Sequence, residues 1–288
     1  MSLAGTDGRD AGARQRIQVL ETQVQELVGE LAAAGQRTSE LERQLAELRE
    51  KIDGSGARFA ALYADFTGRF RGSAEQITAK LRGYLPDVRE LVGDAGAGRD
   101  GTRVLDIGCG RGEWLTLLKS VGVSAAGVDS HPAFVEAGRS RGLDMVLGDG
   151  IEHLATRPAN SLDIVTVFHV IEHLDVETLL ALIGAAHDAL RIGGCLLLET
   201  PNPHNLQMAA CDFYNDPTHR RPLPAALVEF LVSASGFERV EIRPLHPASP
   251  PLVGLNDDQL GIELVERVLY GPQDYAVLGY KIDSMDQA

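Results

Sequence analysis

In the run His169-Val170-Ile171-Glu172-His173, three polar side chains stand at i, i+3 and i+4. A helical turn starting at Val170 would bring all three to one face. Two imidazoles beside a carboxylate accept a proton near neutral pH or ligate a divalent ion. A histidine-rich set suits Mn, Fe, Co or Zn better than Mg, which prefers oxygen. The plainer alternative is a polar pocket in which Glu172 pairs with His173 or with Arg220.

A second constellation lies upstream. Gly108-Cys109-Gly110-Arg111-Gly112 separates the apolar run Val104 to Ile107 from an amphipathic stretch opening at Glu113-Trp114. Glycines there let the chain bend sharply and let a ligand come close to the backbone. The third glycine falls one position early for a dinucleotide fingerprint, and Glu113 takes its place. A carboxylate at that helix start opposes a pyrophosphate. Asp129, with Ser130 after it, lies 21 residues beyond Gly108, the offset at which an acid accepts hydrogen bonds from ribose hydroxyls. A ribose without a pyrophosphate fits S-adenosylmethionine.

The elements that would hold these residues alternate. Short β-branched runs at 103–109, 124–129, 144–147, 162–170 and 195–200 are separated by amphipathic helical stretches. Further strands are expected at 237–243 and 275–282, and Gly193-Gly194 reads as the turn before the fifth strand. The fold class is therefore α/β: a Rossmann-like, doubly wound, seven-stranded and mostly parallel sheet covered on both faces.

Residues 1–14 read as a loose tail. From Ile17 to Ile52, apolar residues recur at alternating spacings of three and four, the pattern of a coiled-coil helix over 15–53 that joins two copies of the chain. Asp53-Gly54-Ser55-Gly56 ends it. Residues 54–100 form a helical lead-in expected to cover the cofactor site, with a capping box at Ser73 and Gln76. Residues 101–288 form the α/β domain, with insertions at 202–224 and 244–272; the second contains a helix capped by Asn256.

Composition narrows the partners. A formal charge of −14 in 288 residues repels phosphate backbones and anionic lipid heads, which speaks against nucleic acid. No apolar stretch is long enough to span a bilayer, so no membrane insertion is expected. Three cysteines without metal-ligand spacing point to a reducing, cytoplasmic setting.

Taken together, Leu105-Asp106-Ile107-Gly108-Cys109-Gly110, Asp129 and Gly148-Asp149-Gly150 resemble the class I S-adenosylmethionine-dependent methyltransferases. The resemblance implies Asp106 near the cofactor ammonium, Gly108 and Gly110 beside its amino acid part and Asp129 at the ribose, with Trp114 and Ser130 also among the cofactor-binding residues. It also implies Asp149 and Gly150 near the adenine, and Phe168 and His169 lining the transfer pocket. Phe70-Arg71-Gly72-Ser73, Glu199-Thr200-Pro201-Asn202-Pro203, Asp216-Pro217-Thr218-His219-Arg220 and Gly271-Pro272-Gln273-Asp274-Tyr275 resemble a bacterial subgroup associated with polysaccharide synthesis, whose members act as sugar O-methyltransferases. That likeness places Arg71 at the cofactor carboxylate, with a surface ion pair as the alternative.

The 169–173 segment also resembles the Glu-x-x-Glu-His metal site of ubiquinone-pathway and small-RNA methyltransferases. By that likeness His169, Glu172, His173 and His219 would be the ligands. Here His169 replaces the first glutamate. A sugar hydroxyl is too weak an acid to lose its proton unaided, so catalytic roles fall to His173, His219, Glu172 and His169, with a base or a metal assisting. The polar insertion 202–224 offers Asn205, Tyr214 and Arg220 to a hydroxyl-rich acceptor. A phenol or quinone precursor, an RNA ribose, and a non-catalytic scaffold are the alternatives.

Overall fold

The computed structural model describes residues 66–93, 101–248 and 266–283, with isolated positions 37, 43, 44 and 62. The coiled-coil stretch and the Asn256-capped helix therefore lie outside the described residues. The chain divides into two units, residues 1–70 and 71–288. In the first, Phe66 and Phe70 stack with ring centroids 4.8 Å apart.

The second unit carries a seven-stranded sheet. Its strands are β1 (Val104–Ile107), β2 (Ala125–Asp129), β3 (Met145–Leu147), β4 (Leu162–Phe168), β5 (Leu190–Pro201), β6 (Arg239–Pro247) and β7 (Pro272–Tyr280). The order is β3-β2-β1-β4-β5-β7-β6. β1 to β5 run parallel, and β7 lies antiparallel to both β5 and β6. The order reverses between β1 and β4, which opens a crevice at the carboxyl ends of those strands.

Side chains alternate across the sheet with period two. Leu105, Val165, Val167, Leu196, Leu198 and Val277 pack on one face with α6 (Val176–Ala189) and α8 (Ala225–Ala234). Val104, Ile164, Phe168, Leu197 and Leu278 pack on the other, with α1 (Ala74–Leu81), α2 (Leu85–Val92) and α3 (Glu113–Ser120). Each such side chain withdrawn from water contributes roughly 1.5–3 kcal/mol, so both helical layers are held by the same strands. At the rim opposite the crevice, Asp163 accepts from Arg103 and Arg191, and Arg191 also donates to the Leu91 carbonyl at 2.7 Å.

The α1 start follows the expected capping box. Ser73 N donates to Gln76 Oε1 at 2.9 Å, and Gln76 N donates to Ser73 Oγ at 3.3 Å. Several strand boundaries differ from expectation, and β7 spans Pro272–Tyr280 rather than 275–282. β5 begins at Leu190, directly after α6, so Gly193-Gly194 lies inside the strand. The pairing with β4 shifts register between Leu162 and Ile164, and Gly193 (φ 76) instead donates to the Lys281 carbonyl at 2.7 Å. β6 runs on to Pro247, pairing through the first residues of the second insertion with β7. The remaining helices that bear on the crevice are α4 (Pro132–Ser140), α5 (Gly150–Ala155) and α7 (Leu206–Ala210).

Among the described residues, no helix is long and apolar enough to cross a membrane.

Candidate active site

The glycine loop after β1 is shaped by close contacts. Gly108 (φ 68) and Gly110 (φ 52) adopt the left-handed region. A Cβ on Gly108 would lie 2.4 Å from Val170 Cγ2, and one on Gly110 would lie 3.1 Å from Arg71 Nη1. Arg71 is thereby held over the loop, close enough to Asp106 to act on its charge.

Two acids frame that loop. Asp129 Oδ2 accepts from Gly110 N at 2.7 Å, and Oδ1 accepts from His131 N at 2.8 Å. An ionised carboxylate offers about four lone-pair sites, so two are left for a ligand. Asp106 is buried and accepts from Thr166 Oγ1 at 2.7 Å. Burial pushes its pKa up to about 7, against the pull of Thr166 and Arg71. Such an acid gains from a cationic ligand that holds it ionised.

The other cofactor-side residues have separate placements. Asp149 is exposed and caps α5, its Oδ1 accepting from Ile151 N at 2.8 Å and Glu152 N at 3.0 Å. Gly150 sits tight on β1, a Cβ there lying 2.5 Å from Ile107 Cγ2. Ser130 is exposed. Trp114 and Phe168 are buried beneath the crevice rather than lining it, edge to face at 5.6 Å, and Tyr84 packs against both. The indole Nε1 of Trp114 has no partner.

Of the catalytic candidates, His169, Glu172 and His173 follow the end of β4, and His219 comes from the insertion after β5. His169 does not enter a helix: it takes φ 54 while its N–H donates to the Glu199 carbonyl at 2.9 Å, and a 3-10 turn (Ile171–His173) begins two residues later. The expected common face is therefore replaced by a split. His169 Nδ1 lies 3.4 Å from Glu172 Oε1, but Nε2 turns to Glu199 Oε1 at 3.2 Å and Asp274 Oδ1 at 3.9 Å. Groups able to surround one ion are Glu172, His173 and His219 in one place and His169, Glu199 and Asp274 in another. The four-ligand set that included His169 is not assembled.

The first group has consistent chemistry. Glu172 is wholly buried; its Oε2 accepts from Thr200 Oγ1 at 2.9 Å, while Oε1 has no hydrogen bond. Thr218 Oγ1 donates its single proton to Asp216 Oδ1 at 2.6 Å, so the His173 Nδ1 facing that hydroxyl at 2.8 Å is the donor. His219 Nδ1 faces the Phe213 carbonyl at 2.6 Å and must donate as well. Both rings are thus assigned the tautomer that leaves an Nε2 lone pair. Burial and the neighbouring His219 hold His173 below the ordinary histidine range, against Glu172, which raises it. His173 is neutral at pH 7 and able to accept a proton or bind an ion.

Among the acceptor-side residues, Tyr214 is exposed, and Arg220 pairs with Asp175 at 3.0 Å. Asn205 is not available to a ligand. It is buried, its Oδ1 caps α7 by accepting from Met208 N at 3.1 Å, and its Nδ2 donates to the Leu269 and Gly271 carbonyls.

Sequence reasoning missed the roles of Thr200, Thr218, Glu199, Asp274, His246 and Tyr84. The signal for the first four was an acid or hydroxyl inside the quoted motifs, at the end of β5 for Thr200 and Glu199, near the start of β7 for Asp274 and in the 202–224 insertion for Thr218. Nothing marked His246, which takes φ 53 and donates from Nδ1 to Asp274 Oδ2 at 2.9 Å.

This strand order, with the glycine loop and its acid at the crevice, defines a class I methyltransferase fold. A family model described as "Methyltransferase domain" matches residues 68–242, and the chain belongs to that family. It is similar to an S-adenosylmethionine-dependent methyltransferase from Archaeoglobus fulgidus: 33% identity, TM-score 0.68, covering 76% of this chain and 99% of the other. A protein from Mycolicibacterium smegmatis described as "Probable S-adenosylmethionine-dependent methyltransferase" is 34% identical over 49% of this chain and 53% of its own length. A ubiquinone biosynthesis O-methyltransferase from Xanthomonas oryzae is 34% identical over 35% of this chain and 44% of its own. The chain spans about half the length of these curated relatives.

Proposed function

We propose that the protein is an O-methyltransferase acting on a sugar hydroxyl of a glycan or glycan precursor. The observation that carries the reading is the convergence of two histidines, each with Nδ1 committed, beside Glu172 Oε1, which makes no hydrogen bond and faces His169 Nδ1 at 3.4 Å. An alkyl hydroxyl needs proton removal or acidification, and these are the groups for it.

Family membership supports S-adenosylmethionine as the donor, and the residues fit it. Gly108 and Gly110 leave room at the loop, Asp129 keeps lone pairs for the ribose, and Asp106 favours a cationic ammonium. When bound, the donor supplies an electrophilic methyl on a sulfonium. The chain's own part is to orient the acceptor and take its proton, and His173 Nε2 is the base of choice.

The same three residues fit a divalent ion. A buried carboxylate oxygen without a hydrogen bond beside two fixed tautomers is the donor set of a site built from two histidines and one carboxylate, and the outer hydrogen bonds of both rings are already made. Such an ion would acidify the acceptor hydroxyl. A phenolic acceptor is the second reading, favoured by the ubiquinone-pathway relative.

A tritiated-methyl screen over mono- and oligosaccharides, catechols and RNA tests the proposal. Transfer to sugars, abolished in His173→Ala, is the expected result; transfer confined to catechols establishes the second reading instead. We also propose a dimer through the heptad stripe. Leu27→Lys with Leu31→Lys in the full chain should then halve the mass seen by light scattering.

A further inference from the structure

The described residues hold a second polar cluster that the chemistry above leaves idle. Glu199, near the end of β5, is buried on the face of the sheet that packs against α1 and α2. Its Oε2 accepts from Tyr84 OH, in the turn between those helices. Its Oε1 faces His169 Nε2 at 3.2 Å and His246 Nδ1 at 3.7 Å. Asp274 closes the cluster, accepting from His246 Nδ1 at 2.9 Å and from Lys80 Nζ at 3.3 Å.

His169 is the bridge. Both of its ring nitrogens face buried carboxylates, Glu199 on one side and Glu172 on the other. An imidazole held at both ends has no lone pair to offer an acceptor, so it does not serve as the base. What it provides is orientation. Glu172 Oε1 faces His169 Nδ1 at 3.4 Å, and His219 Nε2 stands farther off at 3.9 Å. Without His169 held in place, Oε1 would lose that contact, while Oε2 would keep its hydrogen bond from Thr200.

We propose that Glu199 is a positioning residue: clamped by Tyr84, it holds His169, and His169 aims Glu172 Oε1 at His173 and His219. The inference rests on the function proposed above. It also ties the α1–α2 segment, which follows Arg71 in the chain, to the catalytic carboxylate through side chains alone.

The test uses the full chain with Glu199→Gln, Tyr84→Phe and His173→Ala, assayed with the acceptor that the methyl-transfer screen identifies. Outer-sphere groups of this kind change activity by about 10- to 100-fold when removed. Glu199→Gln should lower kcat within that span. The KM for S-adenosylmethionine and the calorimetric affinity for S-adenosylhomocysteine should stay within about twofold of wild type, since Glu199 touches neither the glycine loop nor Asp129. Tyr84→Phe should show the same split to a smaller degree, and it decides the matter if Glu199→Gln does not fold. A merely structural role would move cofactor affinity along with kcat, and that result overturns the proposal. So does wild-type kcat in the variant that folds. If His173→Ala keeps full activity, the catalytic reading fails instead, and this inference falls with it. An inactive His173→Ala beside an unimpaired Glu199→Gln removes only the positioning role.

Discussion

His173 and His219 lie with ring centroids 4.7 Å apart at 58°, and each has spent its Nδ1 proton on a neighbour. They come from segments 46 positions apart in the chain, and the backbone N–H of Arg220, next to His219, donates to the Glu172 carbonyl at 2.9 Å. That main-chain bond keeps the two rings in register beside Glu172.

The first prediction concerns proton removal. His173→Ala and His219→Ala should each lower kcat by about 100-fold or more, the scale of lost general-base assistance. Affinity for S-adenosylhomocysteine, read by calorimetry, should be unchanged. Thr218→Val should cost less, because it frees the His173 tautomer without removing the ring. The acid limb of kcat/KM should fall below pH 6.5, because His173 is held under that ordinary value.

A divalent ion, if the enzyme uses one, should leave with a chelator. Activity should then vanish and return with Mn, Co or Zn more readily than with Mg. Elemental analysis of Glu172→Gln should show the ion lost. Unchanged activity through chelation assigns the chemistry to the histidines alone.

Asp129→Ala should weaken S-adenosylhomocysteine binding by about tenfold or more, since a hydrogen bond to a charged group is worth roughly 1.5–3 kcal/mol. Part of that loss is indirect, because the Gly110 and His131 amides lose their acceptor.

Gly108→Ala should destabilise the domain by about 2–5 kcal/mol, combining left-handed strain with overpacking against Val170. Adding Val170→Ala should recover the overpacking part only. Denaturant midpoints of the wild type, Gly108→Ala, Val170→Ala and the double variant separate the two contributions.

The pH dependence of stability should show both ends of the buried cluster. Burial works to raise Asp274, but His246, His169 and Lys80 hold its pKa at about 2 against an ordinary 3.8. Its contribution is present above pH 3.8 and is lost as pH falls toward 2. For His169, burial works downward, yet Glu172, Glu199 and Asp274 raise it to about 10 from 6.5. Its contribution is complete below 6.5 and disappears as pH rises through 10. Asp274→Asn should flatten the acid side, checked by urea titrations across the range.

The sheet was legible in sequence because its strands are short β-branched runs between amphipathic helices, and Asp129 stood at a fixed offset from Gly108. The heart of the site was less so. Periodicity reads through His169 as if the helix began at once, and only the Glu199 carbonyl and carboxylate show why the chain takes a left-handed step there. Glu199 and Asp274 lie 75 residues apart and meet because β7 returns antiparallel beside β5, pairing Pro201 with Asp274. Asn205 looked like a ligand group because an amide on a polar loop does; its partners at 269 and 271 come from a segment no local pattern connects to it.

Asp129 clasps two backbone amides, those of Gly110 and His131. The groove is consequently a finished mould, in which the spent thioether can be exchanged for a fresh donor while the loop keeps its shape. Turnover should then not be paced by rebuilding the glycine bend in each cycle.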